Sequence, residues 1–201
     1  MTRISVIDYG VGNLFSMQNA LRKTGAMVEI VKTSSEILAA DGVVLPGVGN
    51  FGAAALKLNP LADAVREAAG NGVPLLGSCL GMQLLFDGSE EGEGSGLGLL
   101  NGWIKGFSGE LKTPHMGWNT IKATRDSPLL EGIPDGSYFY YVHSFYPEPV
   151  DAPDTLAETI YGERFTSLVE RGNVYGAQFH PEKSGKSGAA LLSNFLGIIR
   201  R

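Results

Sequence analysis

The chain contains one cysteine, Cys79, in the stretch VPLLGSCLGMQLLFDG at residues 73–88. Gly77 lies two residues before this thiol and Gly81 two residues after it. Small residues at this spacing are typical of a strained turn between a strand and a helix, with a nucleophile at its tip. A cysteine attacks as the thiolate and needs a neighbouring base, cation or helix N-terminus to form it. We therefore predict an elbow that places Cys79 at the start of a helix over 79–86, with the positive end of the helix dipole against the sulfur.

A nucleophilic thiol needs a general base, and the chain offers three histidines, His115, His143 and His180. The last follows an alternating apolar run and continues as His180-Pro181-Glu182. Residues i and i+2 of an extended segment face the same side, so His180 and Glu182 can share a hydrogen bond. We predict a catalytic triad of Cys79, His180 and Glu182.

Acyl transfer also needs hydrogen-bond donors for the negatively charged oxygen of the transition state. The N–H of Leu80, directly after the thiol, is one candidate. A second could come from Val48 or Gly49 in the glycine-rich loop PGVGNFG at residues 46–52, after a neighbouring strand.

Each of these residues also has a simpler interpretation. A lone cysteine is commonly a small buried apolar residue. His180 could be a hydrogen-bonded histidine at a strand end, Glu182 a solvated surface charge, and PGVG an ordinary turn. The elbow glycines and the His-Pro-Glu sequence together favour the triad.

Composition limits the class of protein. The 201 residues are 43% hydrophobic and 18% charged, and no apolar run reaches the roughly 18 residues of a membrane span. The net charge of −5 argues against a nucleic-acid-binding surface, which needs clustered Lys and Arg. The first residues lead directly into a strand-like run without the apolar core of a signal peptide, so we expect a cytoplasmic protein. We predict a single domain, 1–201, whose partners are small molecules or proteins.

The first half alternates between short apolar runs and helical periodicity, which predicts a parallel sheet covered on both faces. The predicted strands are 3–8, 27–31, 42–47 and 73–78, and the predicted helices are 13–25 and 61–72. Ligands of such sheets bind beyond the carboxyl ends of the strands, where Cys79 and PGVG fall.

The second half changes character after the glycine-rich acidic loop at 90–98. We predict hairpins and a mixed extension of the sheet, with a final helix from Gly188 to Ile199. The predicted strand-like stretches are GWIKGF, WNTIKAT, SYFYYVHSFY, FTSLVERG and VYGAQFH.

The stretches GSCLGMQLLF and FHPE together resemble the class I, or triad, glutamine amidotransferases, which hydrolyse the side-chain amide of glutamine. VIDYGVGNLFS, LPGVGNFG and PHMGWN are similar to one branch, the glutaminase subunits of imidazole glycerol phosphate synthase in histidine biosynthesis. The similarity spans essentially the whole chain. It implies an α/β fold with a central, mostly parallel sheet, and no cofactor or metal.

The resemblance also implies a role for each matched residue. Cys79 would form the γ-glutamyl thioester, His180 would move the proton, and Glu182 would orient the imidazole. The oxyanion hole would be Leu80 with Val48 or Gly49 after a flip of the PGVG loop. The implied substrate contacts are Gly47, Gln83, His143, Ser144 and Phe145.

The resemblance implies a partner, a cyclase subunit with a (β/α)8 barrel that receives ammonia directly. The partner face would comprise Asn13, Met116, Gly117, Trp118, Asn119 and Lys183. For HMGW itself, a turn with two core residues, Met116 and Trp118, is the alternative. We also expect the isolated chain to be a slow glutaminase until partner and ligand shift the PGVG loop.

Two other functions stay open at this point. One is the glutaminase subunit of pyridoxal phosphate synthase, although PHMGWN argues against it. The other is a non-catalytic regulatory subunit of the same fold, against which the intact triad residues speak. A cysteine peptidase is less favoured still, because nothing in the sequence suggests a groove for an extended peptide.

Overall fold

The architecture follows from four short apolar strands that pair in parallel. The structure, a computed structural model, describes residues 2–109 and 111–201, so the predicted domain 1–201 includes two positions outside it. The helices are α1 (Leu14–Arg22), α2 (Ser34–Leu38), α3 (Phe51–Gly70), α4 (Leu80–Gln83) and α5 (Gly185–Ile199). The strands are β1 (Arg3–Ile7), β2 (Met27–Val31), β3 (Gly42–Gly47), β4 (Leu75–Cys79), β5 (Gly88–Ser89), β6 (Gly102–Gly106), β7 (His115–Thr120), β8 (Lys122–Ala123), β9 (Tyr138–His143), β10 (Phe145–Pro149), β11 (Thr155–Tyr161), β12 (Glu163–Arg171) and β13 (Val174–Ala177).

The main sheet has eight strands in the order β2-β1-β3-β4-β13-β12-β11-β8. The pairs from β2 through β13 are parallel, and β12, β11 and β8 extend the sheet antiparallel. The prediction of a parallel sheet with a mixed extension is therefore confirmed. Two smaller sheets lie beside it. One has the strand order β10-β6-β5, and the other consists of β7 and β9.

Alternate residues of the central strands enter two separate hydrophobic clusters, one on each face of the sheet. In β3, Val43 and Leu45 pack with α2 and α3, while Val44 packs with α1 and α5. A strand buried on both faces has no polar side, which explains its continuous apolar sequence. Among the described residues, no helix combines the length and apolar character that crossing a membrane requires.

Helix α3 begins ten residues before the predicted start at 61. Asn50 caps it by accepting a hydrogen bond from the N–H of Ala53 (3.1 Å), and the Glu91 carboxylate accepts the N–H of Phe51 (2.7 Å). Pro60 lies on its exposed side, where the unpaired carbonyl one turn earlier can face water. Burial of Phe51 and its apolar neighbours therefore outweighs the local helix-breaking signal.

Other boundaries also differ from the predicted ones. The stretch SYFYYVHSFY divides at Ser144 into β9 and β10, which pair with different strands. WNTIKAT divides in the same way between β7 and β8, and the final helix begins at Gly185 rather than Gly188. The prediction omitted β11, although its antiparallel pairing with β12 carries the sheet extension. Long-range pairing partners, which a local pattern does not reveal, set these boundaries.

Candidate active site

Cys79 lies at the last position of β4, at the turn into α4. Its backbone has φ 53° and ψ −114°, and it is the one non-glycine residue with positive φ in the two described ranges. Gly77 permits this turn, because a Cβ there would lie 2.6 Å from the Cα of Met82. A Cβ on Gly81 would overlap the carbonyl of Leu45. The predicted elbow is therefore present, and both glycines are required by close packing.

The helix after the thiol is much shorter than predicted. It ends at Gln83, because the carbonyls of Leu84, Leu85 and Phe86 accept N–H groups from residues 97–100 of the returning chain. A single turn aligns few peptide groups, so the dipole next to the sulfur is weaker than that of the predicted helix. The predicted length of the helix is thus wrong, although its start directly after Cys79 is confirmed.

His180 follows β13, and Glu182 binds it as predicted, although Pro181–Lys183 form a short 3-10 helix in place of the predicted extended segment. The carboxylate Oε1 lies 2.9 Å from the imidazole Nδ1, and the Glu182 side chain is only 3% exposed. Glu182 is therefore not a solvated surface charge. Ser184 fixes the turn by donating to the His180 carbonyl (2.6 Å) and accepting the N–H of Tyr140 (3.0 Å).

The imidazole of His180 is tuned by opposing effects. Burial lowers its pKa, but the Cys79 sulfur and the Glu182 carboxylate outweigh burial and raise the pKa to about 9. A raised pKa allows the ring to hold a proton at neutral pH. Because Glu182 binds Nδ1, the Nε2 nitrogen is the one free to exchange a proton with another group.

A cavity of about 260 Å³ brings most of the predicted site residues together. Cys79 and His180 both line it. The other predicted residues on its wall are Val48, Gly49, Gln83, His143, Ser144, Phe145 and Lys183. Three residues that the sequence did not single out, Glu91, Pro114 and Val142, complete the lining.

Gly47 and Leu80 lie behind this lining. Gly47 pairs with Cys79 in the β3–β4 ladder, and a Cβ on it would lie 2.8 Å from the N of Gly81. The structure thus assigns Gly47 a packing role beside the elbow. The Leu80 side chain is buried in the core, so only its backbone N–H is available to a ligand at Cys79.

Gln178 is a functional candidate that the sequence reasoning missed. Its Nε2 lies 3.8 Å from the Sγ of Cys79, and its Oε1 accepts a hydrogen bond from Gln83 (3.1 Å). Its side chain is fully buried. The alternation that placed His180 and Glu182 on one side extends back to Gln178, so the same period of two could have found it.

The site occurs in a chain with clear relatives. The family model for "Glutamine amidotransferase class-I" matches residues 5–198. The chain belongs to this family.

Curated relatives match this amidotransferase over nearly its full length. Three are named imidazole glycerol phosphate synthase subunit HisH. The protein from Moorella thermoacetica is 48% identical, with 100% of this chain and 97% of the relative covered. The protein from Methanocaldococcus jannaschii is 46% identical, with 98% of this chain and 100% of the relative covered. The protein from Methanosarcina mazei is 50% identical, with 98% of each covered.

Solved structures share its fold at lower identity. PurLQS from Thermotoga maritima superposes with a TM-score of 0.80 at 21% identity, covering 98% of each chain. A glutamine amidotransferase, also from Thermotoga maritima, gives a TM-score of 0.72 at 16% identity, covering 98% of this chain and 97% of that one. The α/β class I amidotransferase fold predicted from the sequence is therefore confirmed.

The PHMGWN segment of this amidotransferase forms a strand that alternates between two environments. Met116 and Trp118 on β7 are 63% and 55% exposed, whereas His115 is buried. The interpretation of HMGW as a turn with two core residues is therefore wrong. Asn119, expected at the partner face, is half-buried and donates its amide to the Ile160 carbonyl (2.9 Å).

The remaining predicted partner residues lie at or near the surface. Asn13 caps α1 by accepting a hydrogen bond from the N–H of Ser16 (3.3 Å), and it is exposed. Lys183 is exposed as well, and Gly117 is half-buried.

Tyr9 anchors the loop that contains PGVG. Its buried hydroxyl donates to the carbonyl of Pro46 (2.8 Å), which fixes the first peptide of the loop. Beyond this anchor, Val48 is exposed and Gly49 adopts φ 115°, a value that favours glycine. At its other end the loop is held by the cap of α3, so Val48 and Gly49 are the exposed residues between two fixed ends.

Proposed function

We propose that this chain is the glutaminase subunit of an imidazole glycerol phosphate synthase. One observation carries the proposal: a strained cysteine and a histidine that is hydrogen-bonded to the buried Glu182 line one cavity, in a chain 46–50% identical to HisH relatives. A non-catalytic subunit would need neither the strain at Cys79 nor the buried Glu182. The HisH names of the relatives favour this synthase over pyridoxal phosphate synthase.

The reaction begins with transfer of the Cys79 proton to His180. The sulfur attacks the side-chain amide carbon of glutamine, and His180 gives the proton to the leaving nitrogen, which departs as ammonia. Water then attacks the γ-glutamyl thioester, its proton passes to His180, and the thiol is restored as glutamate leaves. The carboxylate of Glu182 supports the positive charge that the imidazole carries between these steps.

The oxyanion of both tetrahedral intermediates needs two N–H donors. We assign one to Leu80, at the start of α4, and the other to Val48 or Gly49 in the PGVG loop. The anchoring of Pro46 by Tyr9 supports a rearrangement confined to the peptides after it. In this proposal the partner and its ligand favour the loop conformation in which the second donor points at the oxyanion.

The cavity carries the charges that an amino acid needs. Glu91 and Lys183 contribute one negative and one positive group to its lining. Glutamine is a zwitterion, so its α-ammonium fits the carboxylate and its α-carboxylate fits the ammonium. The uncharged residues Gln83, Ser144 and Phe145 also line the cavity. We propose that they contact the aliphatic part and the side-chain amide of glutamine.

The exposed β7 face suits a protein partner. Met116 and Trp118 present apolar side chains at the surface, and aromatic residues and Met are enriched at protein interfaces. We propose that a (β/α)8 cyclase subunit docks here and receives ammonia directly. The complex would then make imidazole glycerol phosphate and aminoimidazole carboxamide ribotide in the cytoplasm.

The test is glutamate release from glutamine by the purified chain, alone and with the cyclase subunit carrying its ribonucleotide ligand. We expect slow release alone, strong activation by partner and ligand, and no release from Cys79→Ala. Glutamate release that does not change when this cyclase is added would indicate another ammonia acceptor. A Cys79→Ala variant as active as the wild type would refute the triad.

A further inference from the structure

Two buried histidines beside the cavity have no part in the proton transfers above. His143 lies on the cavity wall, and its Nδ1 is 2.8 Å from the carbonyl oxygen of Phe145. Its Nε2 is 2.9 Å from the Nδ1 of His115. The Nε2 of His115 is in turn 3.2 Å from the amide nitrogen of Asn119. The two imidazoles therefore form the middle of a continuous row of hydrogen bonds.

The groups at the two ends fix every proton in this row. The Phe145 carbonyl can only accept, so His143 carries its proton on Nδ1 and accepts at Nε2. His115 must then donate from Nδ1 and accept at Nε2. Asn119 supplies that donor, and its amide cannot be reversed because its Oδ1 already accepts the N–H of Thr120 (2.8 Å).

Burial keeps both rings neutral in this arrangement. It lowers the pKa of His115 to about 4 and that of His143 to about 3. An added proton on either ring would also place two donors against each other in the row. The rings therefore act as fixed hydrogen-bond donors and acceptors at neutral pH and do not transfer protons.

The row ends at a carbonyl that belongs to the glutamine site. Phe145 O also accepts the side-chain amide of Gln83 (3.0 Å). The same amide bonds Gln178, whose own amide faces the Cys79 sulfur. The position of the Phe145 carbonyl thus determines where two amides beside the nucleophile lie.

We propose that His115 and His143 are positioning residues that hold the Phe145 carbonyl, and through it Gln83, in the geometry that binds glutamine. The proposal rests on the assignment of the cavity as a glutamine site. It also explains why β7 has exposed Met116 and Trp118 on one side and His115 on the other. The exposed side is free for a partner, while the inward side supports the substrate wall.

The first test is the proton position on each ring, which does not depend on activity. Two-bond ¹⁵N–¹H correlation spectra of the full chain report which imidazole nitrogen is protonated. We expect His115 and His143 to be neutral and protonated on Nδ1 from pH 5 to pH 8. A proton on Nε2 of either ring, or a charged ring at pH 7, would overturn the proposal.

The second test separates positioning from packing by kinetics in the complex with the cyclase. His115→Phe keeps an aromatic ring stacked between Tyr141 and Tyr161 but removes the donor to His143. His115→Asn retains a donor near the Nδ1 position. We expect His115→Phe to raise KM for glutamine about tenfold with kcat nearly unchanged, and His115→Asn to restore most of the affinity.

Phe165→Leu is the matched control, because the Phe165 ring packs against both imidazoles at 5.1 and 5.8 Å between centroids. We expect it to lower the melting temperature while KM stays within about twofold of wild type. Equal KM increases in Phe165→Leu and His115→Phe would show a packing effect and refute positioning. If the wild type releases no glutamate, the proposed function fails, while the NMR result still decides the proton arrangement.

Discussion

Replacing Glu182 by Gln is the most direct probe of the proton-transfer machinery. The change preserves shape but removes the charge that lies 2.9 Å from the Nδ1 of His180. The new amide has no good orientation. With its nitrogen at the Oε2 position, it enters a buried place where Oε2 has no hydrogen-bond partner among the described residues. With its nitrogen at Oε1, it donates to Nδ1 and forces the proton of His180 onto Nε2.

The size of the effect follows from the lost ionic hydrogen bond. A buried hydrogen bond to a charged group contributes about 1.5–3 kcal/mol, which corresponds to roughly 10- to 150-fold in kcat/KM. The pKa of His180 should fall from about 9 towards or below its ordinary 6.5. Burial, which lowers the pKa of His180, would then be opposed only by the Cys79 sulfur, which raises it.

The same shift predicts how stability depends on pH. Because the pKa of His180 is raised in the folded state, its stabilising effect is complete below about pH 6.5 and is lost as pH rises through about 9. The difference in the free energy of unfolding between wild type and Glu182→Gln should therefore shrink across this range.

The assay combines an NMR titration of the His180 ring with glutaminase kinetics and urea unfolding at pH 6 and pH 9.5. Ser184→Ala, which loosens the His180 turn without removing a charge, is the control. An unchanged pKa of His180 in Glu182→Gln would refute the electrostatic reasoning. So would a stability difference that grows with pH.

Three further substitutions test other parts of the site. Gly81→Ala should lower the melting temperature by more than 10 °C in a thermal scan, since its Cβ would overlap the Leu45 carbonyl; a change under 2 °C would contradict the packing at the elbow. Trp118→Ala should weaken cyclase binding at least tenfold by calorimetry with little change in melting temperature, because the side chain is exposed; equal affinity would exclude Trp118 from the interface. Tyr9→Phe removes the hydrogen bond to the Pro46 carbonyl, so it should lower the free energy of unfolding by about 1 kcal/mol and raise basal glutamate release. Unchanged stability in urea unfolding would argue against Tyr9 as the anchor of the loop.

The amino-acid sequence determines the local features of this protein. The strands β2 and β3 begin and end where the apolar runs do, and the glycines around Cys79 mark the elbow. The His180–Glu182 hydrogen bond forms between side chains two residues apart, although Glu182 lies in a short 3-10 helix, Pro181–Lys183, and not in the extended segment that the sequence predicted. These features depend on neighbours in the chain, whose geometry is the same wherever the segment lies.

The tertiary structure decides what distant segments do to one another. Residues 97–100 end α4 after one turn, and Glu91 helps α3 begin at Phe51. The antiparallel pairing of β7 with β9 brings His115 against His143, a contact between segments 28 residues apart. Such pairings depend on burial and hydrogen-bond satisfaction summed over the whole fold, which no local window of sequence contains.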